Sequence, residues 1–374
     1  MQICKSSPFG NTKVREFVAT IRTHSSLPSS SLSFKTKRIA CAQYLPPDAF
    51  NVQFDYPAKT GNFGFVFFGE YTDSNSGKIA EIVVKCPIET SIGRQLFNME
   101  KYTNAKLRQK SRDKSRFPDY VGEIILPAAT SLTPGLARMG LVWERVGDGD
   151  TLENYLDASR VSQLASILGT NASGFPLRRE FSARILNELA LVIQDLQQCG
   201  IVHRDIKPEN LLVVPEDPDG SPFKVIDFGS SCDWSSPLKK GLRLATCDPI
   251  YTAPERRLDV FKPAYRFDVY SIGLIALRCA LPSLTASVAM NKFVEENLSQ
   301  SDFCLQKTCS NILSGRTNSP PSLLRDVKAL IGPEYEDMYA LFATVLTTTP
   351  GDRADVSDCL RSRFVRAAVP SEVI

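Results

Sequence analysis

The sequence predicts an α+β protein of two lobes, β-rich in its first part and mainly helical beyond. Three patterns carry that prediction. Between residues 51 and 144, short runs rich in Val, Ile and Phe are separated by Gly, Asn and Pro turns, which is strand patterning. After residue 150 apolar residues recur at helical spacing, and Phe181, Ile185, Leu189, Val192 and Leu196 form one stripe that ends at Gly200. Just after that stop comes the charged run His203-Arg204-Asp205-Ile206-Lys207-Pro208-Glu209-Asn210, a loop that a helix or strand pattern does not explain.

The totals set bounds. With 374 residues, 43% hydrophobic and 23% charged, the chain has the composition of a folded protein and the length for two cores. Its net charge of +3 is uneven, because residues 1–41 carry seven Lys/Arg against Glu16 alone. The remainder has 37 basic and 40 acidic residues, so nucleic acid is not an expected partner. Ten cysteines lie scattered without a CxxC, and His24 and His203 are the two histidines. A zinc site is therefore not expected, and reduced thiols are.

Taken in order, residues 1–41 are rich in Ser and Thr, basic and nearly free of acids, without the apolar core of a secretory signal. That is transit-peptide composition, and Ile39-Ala40-Cys41-Ala42 resembles a chloroplast processing site cleaved before Ala42; the alternative is a basic tail on a cytoplasmic protein. Strands are expected at 51–56, 65–71 and 79–86, as an antiparallel meander turning at Gly61 and Gly64 and again at 75–77. Residues 94–107 read as a helix burying Leu96 and Met99. Beyond them Lys106, Arg108, Lys110, Arg112, Lys114 and Arg116 fall on every second residue, which suggests a solvated loop or a docking surface for an acidic partner.

Strands at 123–132 and 137–144 are joined by Thr133-Pro134-Gly135. Helices are expected at 152–168 and 181–199 with a loop at 170–176, then a strand at 211–214, a turn through Asp219-Gly220, and a strand from 223 that ends at Asp227. Residues 267–280 are too short and too charged to cross a membrane and should be a buried helix. Residues 285–322 are polar and contain Pro and Ser, and helical segments close the chain.

The residue types of the charged loop suit phosphoryl transfer from ATP. Asp205 can accept or orient a hydroxyl proton, Lys207 can neutralise a migrating phosphoryl group, and Asn210 can hold Mg²⁺ through its amide oxygen. Asp227-Phe228-Gly229 adds a second metal-binding carboxylate after a strand, and Ala253-Pro254-Glu255 follows. These three motifs in this order resemble the eukaryotic protein-kinase family, and Asp205 followed by Lys207 resembles its Ser/Thr type. The resemblance covers residues 52–366. It implies the bilobal kinase fold, with a leader at 1–41, an N-lobe at 42–146, a C-lobe at 147–366 and a tail at 367–374. Gly61, Gly64 and Val66 would then belong to a phosphate-covering loop, with Lys59 where its first glycine is usual.

By the same resemblance Val83-Val84-Lys85 places Lys85 on the α- and β-phosphates, held by Glu100. Glu144 and Val146 would meet the adenine edge through backbone groups and Asp150 the ribose, with Val83 under the adenine and Trp143 closing the rear of the pocket. Arg353 in Gly351-Asp352-Arg353 resembles the structural partner of Glu255. Asp248-Pro249-Ile250-Tyr251-Thr252 and residues 267–284 look closest to the chloroplast state-transition kinases, which phosphorylate thylakoid proteins. Those kinases carry a membrane-spanning helix and a cysteine pair ahead of the kinase domain, and neither is expected here, since after processing before Ala42 no cysteine precedes Cys86. Expected partners are therefore protein substrates, thylakoid proteins among them, with peripheral rather than spanning membrane association. A catalytically inactive kinase-fold scaffold is the alternative. Arg204 is expected to await a phosphate on Ser230, Ser231, Ser235, Ser236 or Thr246, with thiol control through Cys232 and Cys247 as the competing trigger.

Overall fold

A computed structural model describes residues 44–369, apart from 73–76, 129, 158, 171–173, 216–219 and 244–247. The expected leader, the turn at 75–76, Thr246 and Cys247 lie outside these residues. The β-rich part is a six-stranded antiparallel sheet in the order β1-β3-β4-β6-β5, with β2 added on β3. Its strands are β1 (Phe50–Val52), β2 (Lys59–Thr60), β3 (Gly64–Thr72), β4 (Ile79–Pro87), β5 (Tyr120–Ile125) and β6 (Met139–Glu144). Period-two alternation in β4 decides what faces where. Ile82, Val84 and Cys86 are buried in a core with Phe67, Ile124 and Val142, so Val83 and Lys85 point to the opposite face. A register slip of one residue would carry the Lys85 ammonium into that core.

The first and fourth strand readings need correction. Residues 51–56 are not one strand: β1 ends at Val52 and pairing with β3 resumes only at Lys59. Residues 123–132 hold a strand that starts earlier, at Tyr120, and stops at Ile125, where Pro127 breaks the pattern.

Helix α1 (Ser91–Lys110) starts where the Thr90 hydroxyl accepts the Gly93 N–H, and it runs through residues read as a basic loop. Lys106 is buried against Asp233, and Arg116 bridges Asp113 and Asp195. The every-second-residue rhythm misled for Lys106 and Arg116, whose acidic partners Asp233 and Asp195 lie far away in sequence, while Arg108, Lys110, Arg112 and Lys114 are exposed as expected.

The helical part follows with α2 (Leu152–Tyr155), α3 (Val161–Ile167) and α4 (Gly174–Gln198). The expected single helix over 152–168 is broken after Leu156, where Asp157 turns back onto Ser159. Two small ladders, β7 (Ile201–Val202) with β10 (Cys232–Asp233) and β8 (Leu211–Val213) with β9 (Phe223–Val225), frame the charged loop.

Helix α5 (Arg266–Ala280) is buried from Phe267 onward, Asp268 and Arg278 included. Residues 285–322 contain α6 (Ser287–Phe293), a π-turn at Val294–Leu298 and α7 (Leu305–Leu313). Met290, Phe293, Leu298, Leu305, Cys309 and Ile312 enter the core there, an apolar face too sparse to stand out among the polar residues. The chain closes with α8 (Pro321–Ala329), α9 (Glu336–Val345), α10 (Val356–Arg361) and α11 (Arg363–Arg366). Among the described residues no helix is long and apolar enough to cross a membrane.

Candidate active site

The loop after β7 is fixed from below by a buried carboxylate. Asp268, at the start of α5, accepts the backbone N–H groups of His203 and Arg204 at 2.6 and 2.7 Å. That is why an acid can stand in an apolar helix: it satisfies two donors in a place water does not reach. His203 is fully buried, its Nε2 lies 3.0 Å from the Ile226 carbonyl and its ring packs on Phe228. Burial pushes its pKa down to about 4, so the ring is neutral at pH 7.

The same loop presents Asp205, Lys207 and Asn210 to one cleft. The Lys207 ammonium lies 3.1 Å from Asp205 and 3.8 Å from Asp248. The Asn210 amide nitrogen donates to the Asp205 carbonyl at 2.8 Å and to its carboxylate at 3.1 Å, which leaves the amide oxygen turned away from Asp205. Burial, reinforced by Asp227 and Asp248 and opposed by Lys207, raises the Asp205 carboxyl to about 7. Asp248 also accepts the Ile250 and Tyr251 N–H groups, so it fixes the chain leading to Ala253.

From above, β4 and α1 bring Lys85 and Glu100 into contact at 2.8 Å, and Lys85 reaches Asp227 at 2.7 Å. Asp227 sits in the left-handed region at φ 65°, ψ 68°, a conformation that costs a non-glycine residue about 1–2 kcal/mol and turns its carboxylate into the cleft. Burial alone would lower the Lys85 pKa, but Asp227 and Glu100 outweigh it and the ammonium stays charged. The same contact holds the Asp227 carboxyl below its usual range against the effect of burial.

The cleft has a volume of about 710 Å³ and is lined by Gly61, Gly64, Val66, Lys85, Glu100, Glu144, Val146, Asp205, Lys207, Asn210 and Asp227. Gly64 has to be small, because a Cβ there would stand 2.9 Å from the Cys86 carbonyl oxygen. Asp150 is the one assigned residue outside the lining: its carboxylate pairs with Arg160 at 2.8 Å, while Gly149 and Thr151 face the cleft. Trp143 lines it too, and its Nε1 donates to Asn104 of α1 at 3.1 Å, a partner that no motif had indicated. Asn104 in turn donates to the Glu100 carbonyl.

Two expectations about control are changed. Arg204 is buried, and its guanidinium already donates to the backbone carbonyls of Ser230, Ser231, Gly241 and Leu242. Ser230 and Ser231 are themselves buried. Cys232 is fully buried as well, and burial pushes its thiol up to about 11, the opposite of a reactive cysteine.

Among the described residues no three His, Cys, Asp or Glu side chains gather into a metal cage. A Mg²⁺ that works with phosphate needs none, since it takes one or two protein oxygens and completes its shell from phosphate and water. The Asp227 carboxylate and the Asn210 amide oxygen fit that donor set.

The family model for the protein kinase domain matches residues 101–365. The chain belongs to the protein kinase family. The match begins past Gly61, Gly64, Lys85 and Glu100, whose place at the cleft comes from the structure. This kinase is 31% identical over 131 residues, 29% of its own length, to serine/threonine-protein kinase STN7, chloroplastic, of Arabidopsis thaliana. It is 25% identical over 280 residues, 62% of its length, to serine/threonine-protein kinase STN8, chloroplastic, of the same plant. A Drosophila persimilis serine/threonine-protein kinase, GL21140, is 34% identical over 152 residues, 40% of this chain. The kinase spans 23%, 55% and 17% of those three relatives respectively. The crystal structure of an Stt7 homolog from Micromonas algae soaked with ATP shares the fold, with a TM-score of 0.67 over 86% of this chain and 93% of that one at 21% identity.

Proposed function

We propose that the chain is an ATP-dependent serine/threonine protein kinase that works with Mg²⁺. The observation that carries this reading is the Lys85 ammonium held between Glu100 at 2.8 Å and Asp227 at 2.7 Å, in the cleft that Asp205 and Asn210 also line. Four separate stretches of chain supply these parts. Lys85, kept charged and oriented by Glu100, would bind the α- and β-phosphates, and Lys207 the migrating phosphoryl group. Asp205 would orient the substrate hydroxyl and take its proton, while Asn210 and Asp227 would hold Mg²⁺. Bound there, the metal supplies positive charge to the phosphate oxygens and lowers the repulsion met by the incoming hydroxyl.

Gly61 and Gly64 would cover the phosphates, Val66 and Val83 would flank the adenine, and the Glu144 and Val146 backbones would meet its edge. The ribose position assigned to Asp150 would need that carboxylate to be shared with Arg160. The lobe boundaries follow as 42–146 and 147–366. In the test, the full chain with radiolabelled ATP should transfer label to Ser or Thr of a protein substrate only with a divalent cation present, and Lys85→Met should abolish transfer. A chain that binds nucleotide and labels no substrate would establish the scaffold reading instead.

We also assign this kinase to the chloroplast, with thylakoid proteins as its substrates. The basic, acid-poor composition of residues 1–41 and the two relatives named chloroplastic support that assignment. Residues 1–41 fused to a fluorescent reporter should carry it into plastids, and Lys/Arg→Glu changes should stop delivery. Cytoplasmic retention of the unaltered fusion would overturn the assignment.

A further inference from the structure

Six residues beyond Asp227, Asp233 is buried on β10 and gathers an unusual set of partners. One carboxylate oxygen receives the Lys106 ammonium at 2.6 Å and the Tyr102 hydroxyl at 2.6 Å, both from α1. The other receives the Ser235 N–H and hydroxyl and the Ser236 N–H. The Lys106 and Asp233 side chains are 4% and 2% exposed, so this ion pair is shielded from water and salt. Nearby the hydroxyls of Thr103 and Ser231 lie 2.8 Å apart, and the Lys240 ammonium stands 3.6 Å over the Tyr102 ring.

The strand then folds back on itself. The Asp233 N–H donates to the Lys240 carbonyl, and Gly241, at φ 85°, lies where a Cβ would overlap the Ser231 carbonyl oxygen. Arg204 closes the arrangement by donating to carbonyls from both arms, Ser230 and Ser231 on one side and Gly241 and Leu242 on the other. Helix α1 also carries Glu100. Any outward shift of α1 that separated Glu100 from Lys85 would leave a buried carboxylate without its cation.

We propose that Lys106 and Asp233 are positioning residues for phosphoryl transfer, which through α1 hold Glu100 against Lys85, and that with Arg204 satisfied by backbone carbonyls this arrangement stands without a phosphate. The proposal rests on the kinase reading above, and the test separates the two. In the full chain, hydrogen–deuterium exchange of residues 91–110 reports on α1 without turnover, and kcat and KM for Mg-ATP report on transfer. Asp233→Asn should raise exchange in α1 selectively and lower kcat about ten- to a hundredfold, the scale expected when a catalytic group is misplaced by an ångström.

Lys106→Met should act like Asp233→Asn, whereas Lys106→Arg, which keeps the charge, should restore most of both readouts. Tyr102→Phe removes one hydroxyl and preserves packing, so it carries the test if Asp233→Asn does not fold. Phosphatase treatment should leave the kcat of the unaltered chain unchanged. Unaltered α1 exchange and kcat in Tyr102→Phe and in a folded Asp233→Asn would overturn the proposal, as would loss of kcat on dephosphorylation. An inactive wild-type chain whose α1 still loosens in Asp233→Asn would refute the kinase reading and leave the clamp standing.

Discussion

Asp227→Asn is expected to abolish phosphate transfer and weaken Mg-ATP binding, whereas Asp205→Asn is expected to abolish transfer while leaving nucleotide binding nearly intact. Asparagine is the informative replacement at 227, because it tolerates the left-handed backbone that this position adopts at φ 65°. The change therefore removes charge without adding backbone strain. Asp227 contacts Lys85 at 2.7 Å and its side chain is 42% exposed to the cleft, so its loss removes the proposed metal ligand and one of two anchors of the lysine without opening a core. Asp205 faces Lys207 and Asn210 instead, away from Lys85, the lysine proposed to meet the phosphates. Both variants should lose on the order of a thousandfold or more in kcat, the scale of removing a reacting or charge-stabilising group. Nucleotide titration separates them. Equal nucleotide affinity in the two variants would show that Asp227 is no metal ligand, and full activity in Asp205→Asn would remove it from the chemistry.

The second large effect is on stability. Arg353 is fully buried and forms two parallel bonds of 2.8 Å to Glu255, with further bonds to the Thr347 and Arg266 carbonyls. Arg353→Met keeps a long apolar stem but leaves Glu255, whose side chain is 18% exposed, without its counter-charge. The expected loss is about 3–5 kcal/mol, the cost typical of breaking one side of a buried pair. Removing the second charge as well, in Arg353→Met with Glu255→Gln, should recover part of it, since the penalty comes from the orphaned carboxylate. Denaturant titration of the unaltered chain and the two variants checks both statements. A double variant no more stable than Arg353→Met would mean that the lost carbonyl contacts, rather than the charge, set the cost. Glu255 follows Ala253, whose segment begins at Asp248 in the cleft, so the damage should reach activity through that segment.

By itself the sequence determined the groups that contiguous motifs carry. Asp205, Lys207 and Asn210 are close in sequence and Asp227 ends a strand, so their candidacy for one cleft could be read from residue type and spacing. The alternation of β4 likewise set Lys85 on the face opposite Ile82 and Val84. The tertiary structure alone decided the fate of charges whose partners are distant. Lys106 looked like one member of a solvated basic run until Asp233, 127 positions later, was found buried against it. Arg204 meets backbone carbonyls from two separate stretches, and Asp150 pairs with Arg160, contacts that the motifs did not indicate. Burial is the common reason. A charged side chain costs little in water and must be paired inside protein, and which of the two it meets depends on long-range packing that spacing along the chain does not encode.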